Sequence, residues 1–152
     1  MIAKLTSDRN KSSEHYKAAL IGTGEFTVTI RGKGVGGRNQ EMLLSFLITL
    51  VEQQHRDNFP LADLNFAVVS CAFDGIEGNS PATGAIVDST SVSRLEKLLG
   101  KSGVELADEL KRELDNNNSH HVFKLLNDAF ITGHTGTNVN DMLLIMVESK
   151  RS

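Results

Sequence analysis

The hydrophobic positions of this chain follow two different periods. Apolar side chains at positions 43, 46, 47, 50 and 51 recur in helical spacing and predict a well-buried helix over residues 39–54. Residues 66–72 form a continuous apolar run, which is typical of a strand covered on both faces. Residues 142–147 predict a second hydrophobic strand, and the alternation from Phe26 to Ile30 predicts another.

Shorter patterns supply the remaining elements. We expect helix-compatible sequence at 15–20, a short helix at 81–87, a short strand at 130–132, and helices at 91–99, 104–114 and 119–127. Because strands alternate with helices, the fold class predicted is α/β: a layered sheet of mainly hydrophobic strands with helices on both faces, in a single domain. We expect that domain over residues 25–150, after a polar lead-in segment of residues 1–24, with the 81–87 element favoured as helix.

Composition and charge exclude several classes of partner. Sixteen basic and nineteen acidic residues give a net charge of -3, without a basic stripe interleaved with aromatics, so nucleic acid is not expected. The longest apolar stretch, 42–51, is about half the length of a membrane span, so no membrane is expected either. A single cysteine, Cys71, favours a reducing compartment. We expect the cytoplasm, or the mitochondrial matrix if an upstream transit peptide has been removed.

The first loop, residues 32–39, lies between a predicted strand and a predicted helix. Its glycines can present backbone amides to an anion, and Arg38 can pair bidentately with phosphate or carboxylate. The glycines satisfy a dinucleotide-binding pattern, but a suitable ribose-binding acid is missing, and the P-loop lysine and hydroxyl are absent too. A tight turn with a solvated arginine remains the alternative.

Two further loops are rich in polar groups. The second loop, residues 74–78, follows a strand and carries Asp74 and Glu77, two carboxylates that can hold magnesium or accept hydroxyl protons. A turn in which Asp74 bonds its own backbone is the alternative. The third loop, residues 132–141, is dense in glycines, hydroxyls and amides, which suits either phosphate binding or the bracing of a binding loop. The histidines lack metal-ligand spacing, so zinc is not predicted.

Four stretches, in this order and separation, resemble the carboxy-terminal (MOFRL) domain of the glycerate 2-kinase family. They are GVGGRNQE at 34–41, DGIEG at 74–78 with 82–88 behind it, 116–123, and TGHTGTNVND at 132–141. The resemblance implies phosphorylation of glycerate to 2-phosphoglycerate, with ATP and magnesium as cofactors. It also implies a cleft between this domain and a larger, Rossmann-like amino-terminal domain that is missing here.

The same resemblance implies a site. Arg38 is the predicted catalytic residue, stabilising charge on the transferred phosphoryl group, and its removal is expected to change stability by less than about 1 kcal/mol. Asp74 is the predicted metal ligand. The predicted substrate- or nucleotide-binding residues are Gly36, Gly37, Asn39, Glu41, Asp74, Glu77, Thr135, Gly136, Thr137, Asn138 and Asn140.

Without the larger domain, we expect the isolated chain to be inactive. Its expected partners are that amino-terminal domain and the small molecule glycerate, and the sequence leaves a homodimer open. The alternative function is a stand-alone, non-catalytic ligand-binding or interaction module with the same fold.

Overall fold

The computed structural model describes residues 16–54 and 61–149, which form one five-stranded sheet and four helices. The strands are β1 (Lys17–Gly24), β2 (Leu64–Ala72), β3 (Gly84–Asp88), β4 (Ala129–Phe130) and β5 (Asp141–Ser149). The helices are α1 (Arg38–Gln53), α2 (Ser91–Leu99), α3 (Gly103–Asp115) and α4 (Ser119–Leu126).

The sheet joins distant parts of the chain. Its strand order is β1-β5-β2-β3-β4, and each neighbouring pair is antiparallel. The last strand therefore lies between the first and the second, and its register sets Ile145 opposite both Leu20 and Val68. This closure brings the beginning and the end of the described chain together in one α/β domain, as predicted.

The hydrophobic core lies between one face of the sheet and the helices. Leu43 and Leu47 on α1 are fully buried and share a cluster with Val68, Val87 and the apolar residues of the other three helices. The opposite face of the sheet carries Ile21 and Met146, which are exposed. In the described residues the helices thus cover one face, whereas the sequence predicted helices on both. None of these helices is long and apolar enough to cross a membrane.

The sequence located all four helices to within a few residues. α1 has the predicted apolar face, and α2 ends at Gly100, whose φ of 64° is the left-handed conformation that glycine adopts without steric cost. α3 and α4 occupy the predicted ranges. Local periodicity was sufficient for these elements because a helix makes its hydrogen bonds within one segment.

Three other elements differ from the sequence prediction. Residues 17–24, placed in a polar lead-in or a helix, form β1 and pair with β5, so the sheet begins before residue 25. The short helix favoured over 81–87 is wrong, because residues 84–88 form β3. Phe26–Ile30, predicted as a strand, lies outside any helix or strand. Strand formation depends on an available partner strand, which local sequence does not reveal.

Candidate functional site

The three polar loops meet at the end of the sheet where β5 begins. The Thr135 amide donates to the carbonyl of Asp74 at 3.1 Å, which joins the third loop to the second. Gly75, at a φ of 96°, lies so close to Gly133 that a Cβ built on it would be 1.9 Å from the Gly133 carbonyl oxygen. A Cβ on Gly78 would come 2.3 Å from the Gly36 oxygen in the first loop. The predicted loops therefore form one cluster.

An ion pair between Arg38 and Asp141 lies at the centre of this cluster. Arg38 Nε and Nη2 donate to the two Asp141 carboxylate oxygens at 2.6 and 2.7 Å. Asp141 is 1% exposed, whereas the Arg38 side chain is 22% exposed, and Glu25 Oε1 lies 3.9 Å from Arg38 Nη2. The hydrogen bond to Asp141 raises the pKa of Arg38 further above its ordinary value.

The ion pair with Asp141 leaves some N–H donors of Arg38 available to bind another group. A guanidinium carries five N–H donors, and Asp141 accepts two of them. The remaining donors form a planar fork, held in one orientation and partly open to solvent. Such a fork can bind a phosphate or carboxylate group without first losing side-chain freedom.

Most backbone amides of the first loop are bonded within the domain and are therefore not free for an anion. The amides of residues 31–36 all donate to internal acceptors. Those acceptors are the side chains of Asn117, Asn116, Asn118 and Asn79 and the Asn116 carbonyl. The sequence placed 116–123 among the family's motifs but gave the three asparagines no role, because nothing local shows that their side chains reach back some 85 residues.

Glu77 caps the first turn of α1. Its carboxylate accepts the backbone amides of Asn39 at 2.6 Å and Gln40 at 2.9 Å, and also the Gln40 side-chain amide at 2.9 Å. Burial raises the pKa of Glu77, and these hydrogen bonds oppose the rise. Gly37 makes room for the carboxylate, since a Cβ there would lie 2.5 Å from Glu77 Cγ. Glu77 and Gly37 thus build the start of the helix, and the geometry directs neither toward a ligand.

Two other predicted binding residues also point inward. Asn39 is fully buried, and its Oδ1 accepts the Ser70 hydroxyl, which ties α1 to β2. Glu41 is buried as well, and this burial raises its pKa. His120, which the sequence gave no role, completes the buried network: its Nδ1 lies 3.1 Å from Gln40 Oε1 and 3.2 Å from the Ser80 hydroxyl.

The third loop is the open part of the cluster. Its residues 132–140 are all exposed, and left-handed φ angles at Gly133 and Gly136 shape its turns. Thr135 anchors it by donating its hydroxyl to the Phe73 carbonyl at 2.5 Å, and the Asn140 carbonyl accepts the Phe73 amide at 3.2 Å. Three further groups have no partner among the described residues and face solvent: the Gly136 amide, the Thr137 hydroxyl and the Asn138 side-chain NH₂.

Asp74 is placed where the second and third loops touch. Its Oδ1 is buried and makes no hydrogen bond to the described residues. Nowhere in the described ranges do three histidine, cysteine, aspartate or glutamate side chains come together as a metal site. A single carboxylate still fits magnesium, which proteins commonly hold through one or two carboxylates together with the substrate's phosphate oxygens.

The structure is thus a single α/β domain with three polar loops gathered at one end of its sheet. The family of this domain follows from comparison with known proteins. The MOFRL family model matches residues 18–141, and the chain belongs to that family.

Several relatives of this chain are named as glycerate kinases, and two from Agrobacterium vitis are named as putative hydroxypyruvate reductases. A D-glycerate 2-kinase from Thermotoga maritima is 35% identical over 130 residues, which cover 86% of this chain and 27% of that protein. A glycerate 2-kinase from Pyrococcus horikoshii is 36% identical over 133 residues, covering 87% of this chain and 26% of the relative. The crystal structure of a glycerate kinase from Thermotoga maritima superposes with a TM-score of 0.66 at 35% identity, covering 86% of this chain and 27% of that one. The chain thus spans about a quarter of the length of these relatives.

Proposed function

We propose that this chain is the carboxy-terminal domain of an ATP-dependent glycerate 2-kinase and forms one wall of its active-site cleft. Family membership and the names of the glycerate 2-kinase relatives support the reaction, and the quarter-length match supports a second, larger domain. The observation that carries the proposal is Arg38, held bidentately by a buried Asp141 at the meeting point of three polar loops.

Phosphoryl transfer suits this arrangement because the reaction depends mainly on positioning and on stabilising negative charge. Asp141 fixes the guanidinium plane, so the unpaired donors of Arg38 can meet phosphoryl oxygens as charge develops. The Gly136 amide, the Thr137 hydroxyl and the Asn138 NH₂ provide further donors along the same edge. Magnesium, held by Asp74 and the nucleotide's phosphates, would supply additional charge neutralisation when bound.

Five other predicted residues are buried beneath this surface: Gly36, Gly37, Asn39, Glu41 and Glu77. We propose that they support binding by fixing the start of α1, and through it the position of Arg38. The donors on the other wall of the cleft would come from the larger, Rossmann-like domain. The isolated chain should therefore lack kinase activity.

A fusion protein tests the proposal. Residues 17–149, which include all five strands, would replace the corresponding segment of the Thermotoga maritima D-glycerate 2-kinase. Steady-state kinetics of this fusion with glycerate and ATP would be compared with those of the isolated chain. We expect turnover only from the fusion. Arg38→Lys should lower its kcat/KM at least about tenfold, or about 1.4 kcal/mol, because a point charge replaces the planar fork.

Arg112→Lys is the matched control, since Arg112 is an exposed arginine paired with Glu109 on α3. If both variants retain normal turnover, Arg38 is a structural residue. Turnover of glycerate by the isolated chain would contradict the two-wall argument. Binding of ATP or glycerate by an inactive fusion would favour the non-catalytic binding module.

A further inference from the structure

A strand-like sequence without a strand partner lies beside the candidate site. In the segment Phe26–Ile30, hereafter the strand-like segment, apolar Phe26, Val28 and Ile30 alternate with two threonines. This is the pattern of a strand with one apolar face. In the described structure, however, the segment belongs to no strand, and all three apolar side chains are exposed, Ile30 by 76%.

The backbone of the strand-like segment is equally unpaired. Among the described residues, one hydrogen bond reaches it, from Asn117 Nδ2 to the Thr29 carbonyl at 3.3 Å. The amides of residues 26–30 make no described bond. A row of free backbone donors and acceptors on an apolar, uncharged segment is a template for pairing with another strand. The segment contains no lysine or proline of the kind that blocks such pairing.

The strand-like segment lies beside the proposed cleft. At one end, Glu25 lies 3.9 Å from Arg38, and at the other, the amides of Arg31 and Gly32 are fixed by Asn117. The segment therefore borders the Arg38 cluster with both ends anchored.

We propose that the strand-like segment pairs with a β-strand from the remaining three-quarters of the kinase and so joins the two walls of the cleft beside Arg38. The inference rests on the proposed function. It commits to this occupant because the relatives are about four times as long as the matched region and because the segment adjoins the site that needs a second wall. An apolar strand pairing would fix the distance between the walls, which phosphoryl transfer requires.

Hydrogen exchange in the isolated chain and in the fusion protein described above provides the test. In the isolated chain, the amides of residues 26–30 should exchange rapidly, whereas those of β5 should be protected. In the fusion, the amides of alternate residues of the segment should slow by at least about a hundredfold, as for other ladder hydrogen bonds.

A matched pair of substitutions supplies the second readout. Ile30→Glu and Val104→Glu each place a charge at a position that is about equally exposed in this chain, 76% and 77% respectively. Neither should change the melting temperature of the isolated chain. In the fusion, Ile30→Glu should lower the melting temperature by several degrees, and Val104→Glu should leave it unchanged. If the fusion does not melt cooperatively, the same pair is made at the aligned positions of the Thermotoga maritima enzyme.

The outcomes separate this proposal from the proposed function. Protection of residues 26–30 in a fusion that does not phosphorylate glycerate keeps the docking and rejects the function. An active fusion in which these amides exchange as fast as in the isolated chain overturns the docking alone. Self-association of the isolated chain that Ile30→Glu abolishes, with no protection in the fusion, would show that a second copy is the occupant and overturn the proposal.

Discussion

The first and third loops have similar compositions but opposite uses of glycine. In the first loop, a Cβ on Gly32 would lie 2.2 Å from the Asn116 carbonyl oxygen, and one on Gly34 would lie 2.5 Å from Asn118 Cβ. In the third loop, Gly133 and Gly136 adopt left-handed φ angles, and a Cβ on either would meet nothing within 4 Å. Glycine allows close packing in one loop and turning in the other. The first is a scaffold, and the third is a surface that a ligand can reach.

The largest loss of stability should come from removing the Glu77 carboxylate, which lies beneath the first loop. Glu77→Ala leaves three buried N–H groups without an acceptor at the start of α1, so we expect a loss of about 3–5 kcal/mol of unfolding free energy. Denaturant unfolding of the isolated chain measures this. Thr137→Ala in the third loop is the contrasting variant and should stay within about 0.5 kcal/mol. Equal losses would abolish the distinction between the loops.

Arg38→Ala should cause the next largest loss, about 2–4 kcal/mol of unfolding free energy, because it leaves the Asp141 carboxylate buried without its partner. This value replaces the expectation of less than about 1 kcal/mol from the sequence, which assumed that Arg38 has no packed neighbour. A double-mutant cycle with Asp141→Asn checks the cause. The double variant should lose clearly less than the sum of the two single losses. Additive losses would mean that the two side chains contribute independently.

The hydrogen bonds from the first loop to the Asn117 side chain should contribute about 1–2 kcal/mol to the free energy of unfolding. Asn117→Ala removes the acceptor for the amides of Arg31 and Gly32, but both groups lie close enough to the surface for water to replace part of the bond. Asn138→Ala, in the third loop, is the matched control and should be nearly neutral in chemical denaturation. A neutral Asn117→Ala would show that the first loop holds its shape without these hydrogen bonds.

The smallest effect should be a pH dependence of stability at His120. Burial, followed by the nearby charges of Lys124 and His121, lowers the pKa of His120, so the unfolded chain takes up this proton before the folded one. The stabilisation is therefore complete above the ordinary histidine pKa of about 6.5 and declines as the pH falls below it. His120→Gln should flatten the curve of stability against pH in this range. An unchanged slope would place the relevant titration elsewhere.

The sequence located the candidate site better than it assigned roles to the individual residues of that site. It predicted that the polar loops act together, and the structure brings them together. It did not separate the exposed residues of the motifs from the buried ones. Asn39 and Glu41 belong to the same motif as Arg38, and Glu77 belongs to the DGIEG motif, yet all three are buried. Burial depends on which segments pack over a loop, and the segment around 116–123 packs over this one from far along the chain.

The sequence by itself determined the family, the four helices and the apolar strands β2 and β5, because helical periodicity and continuous hydrophobic runs are local properties. Tertiary structure alone decided that residues 17–24 form β1, that 84–88 form β3, and that Phe26–Ile30 forms no strand despite its pattern. A strand acquires its hydrogen bonds from another segment, so its formation depends on which partner the whole fold brings to it. The pairing of Arg38 with Asp141, 103 residues apart, is settled by the same long-range closure of the sheet.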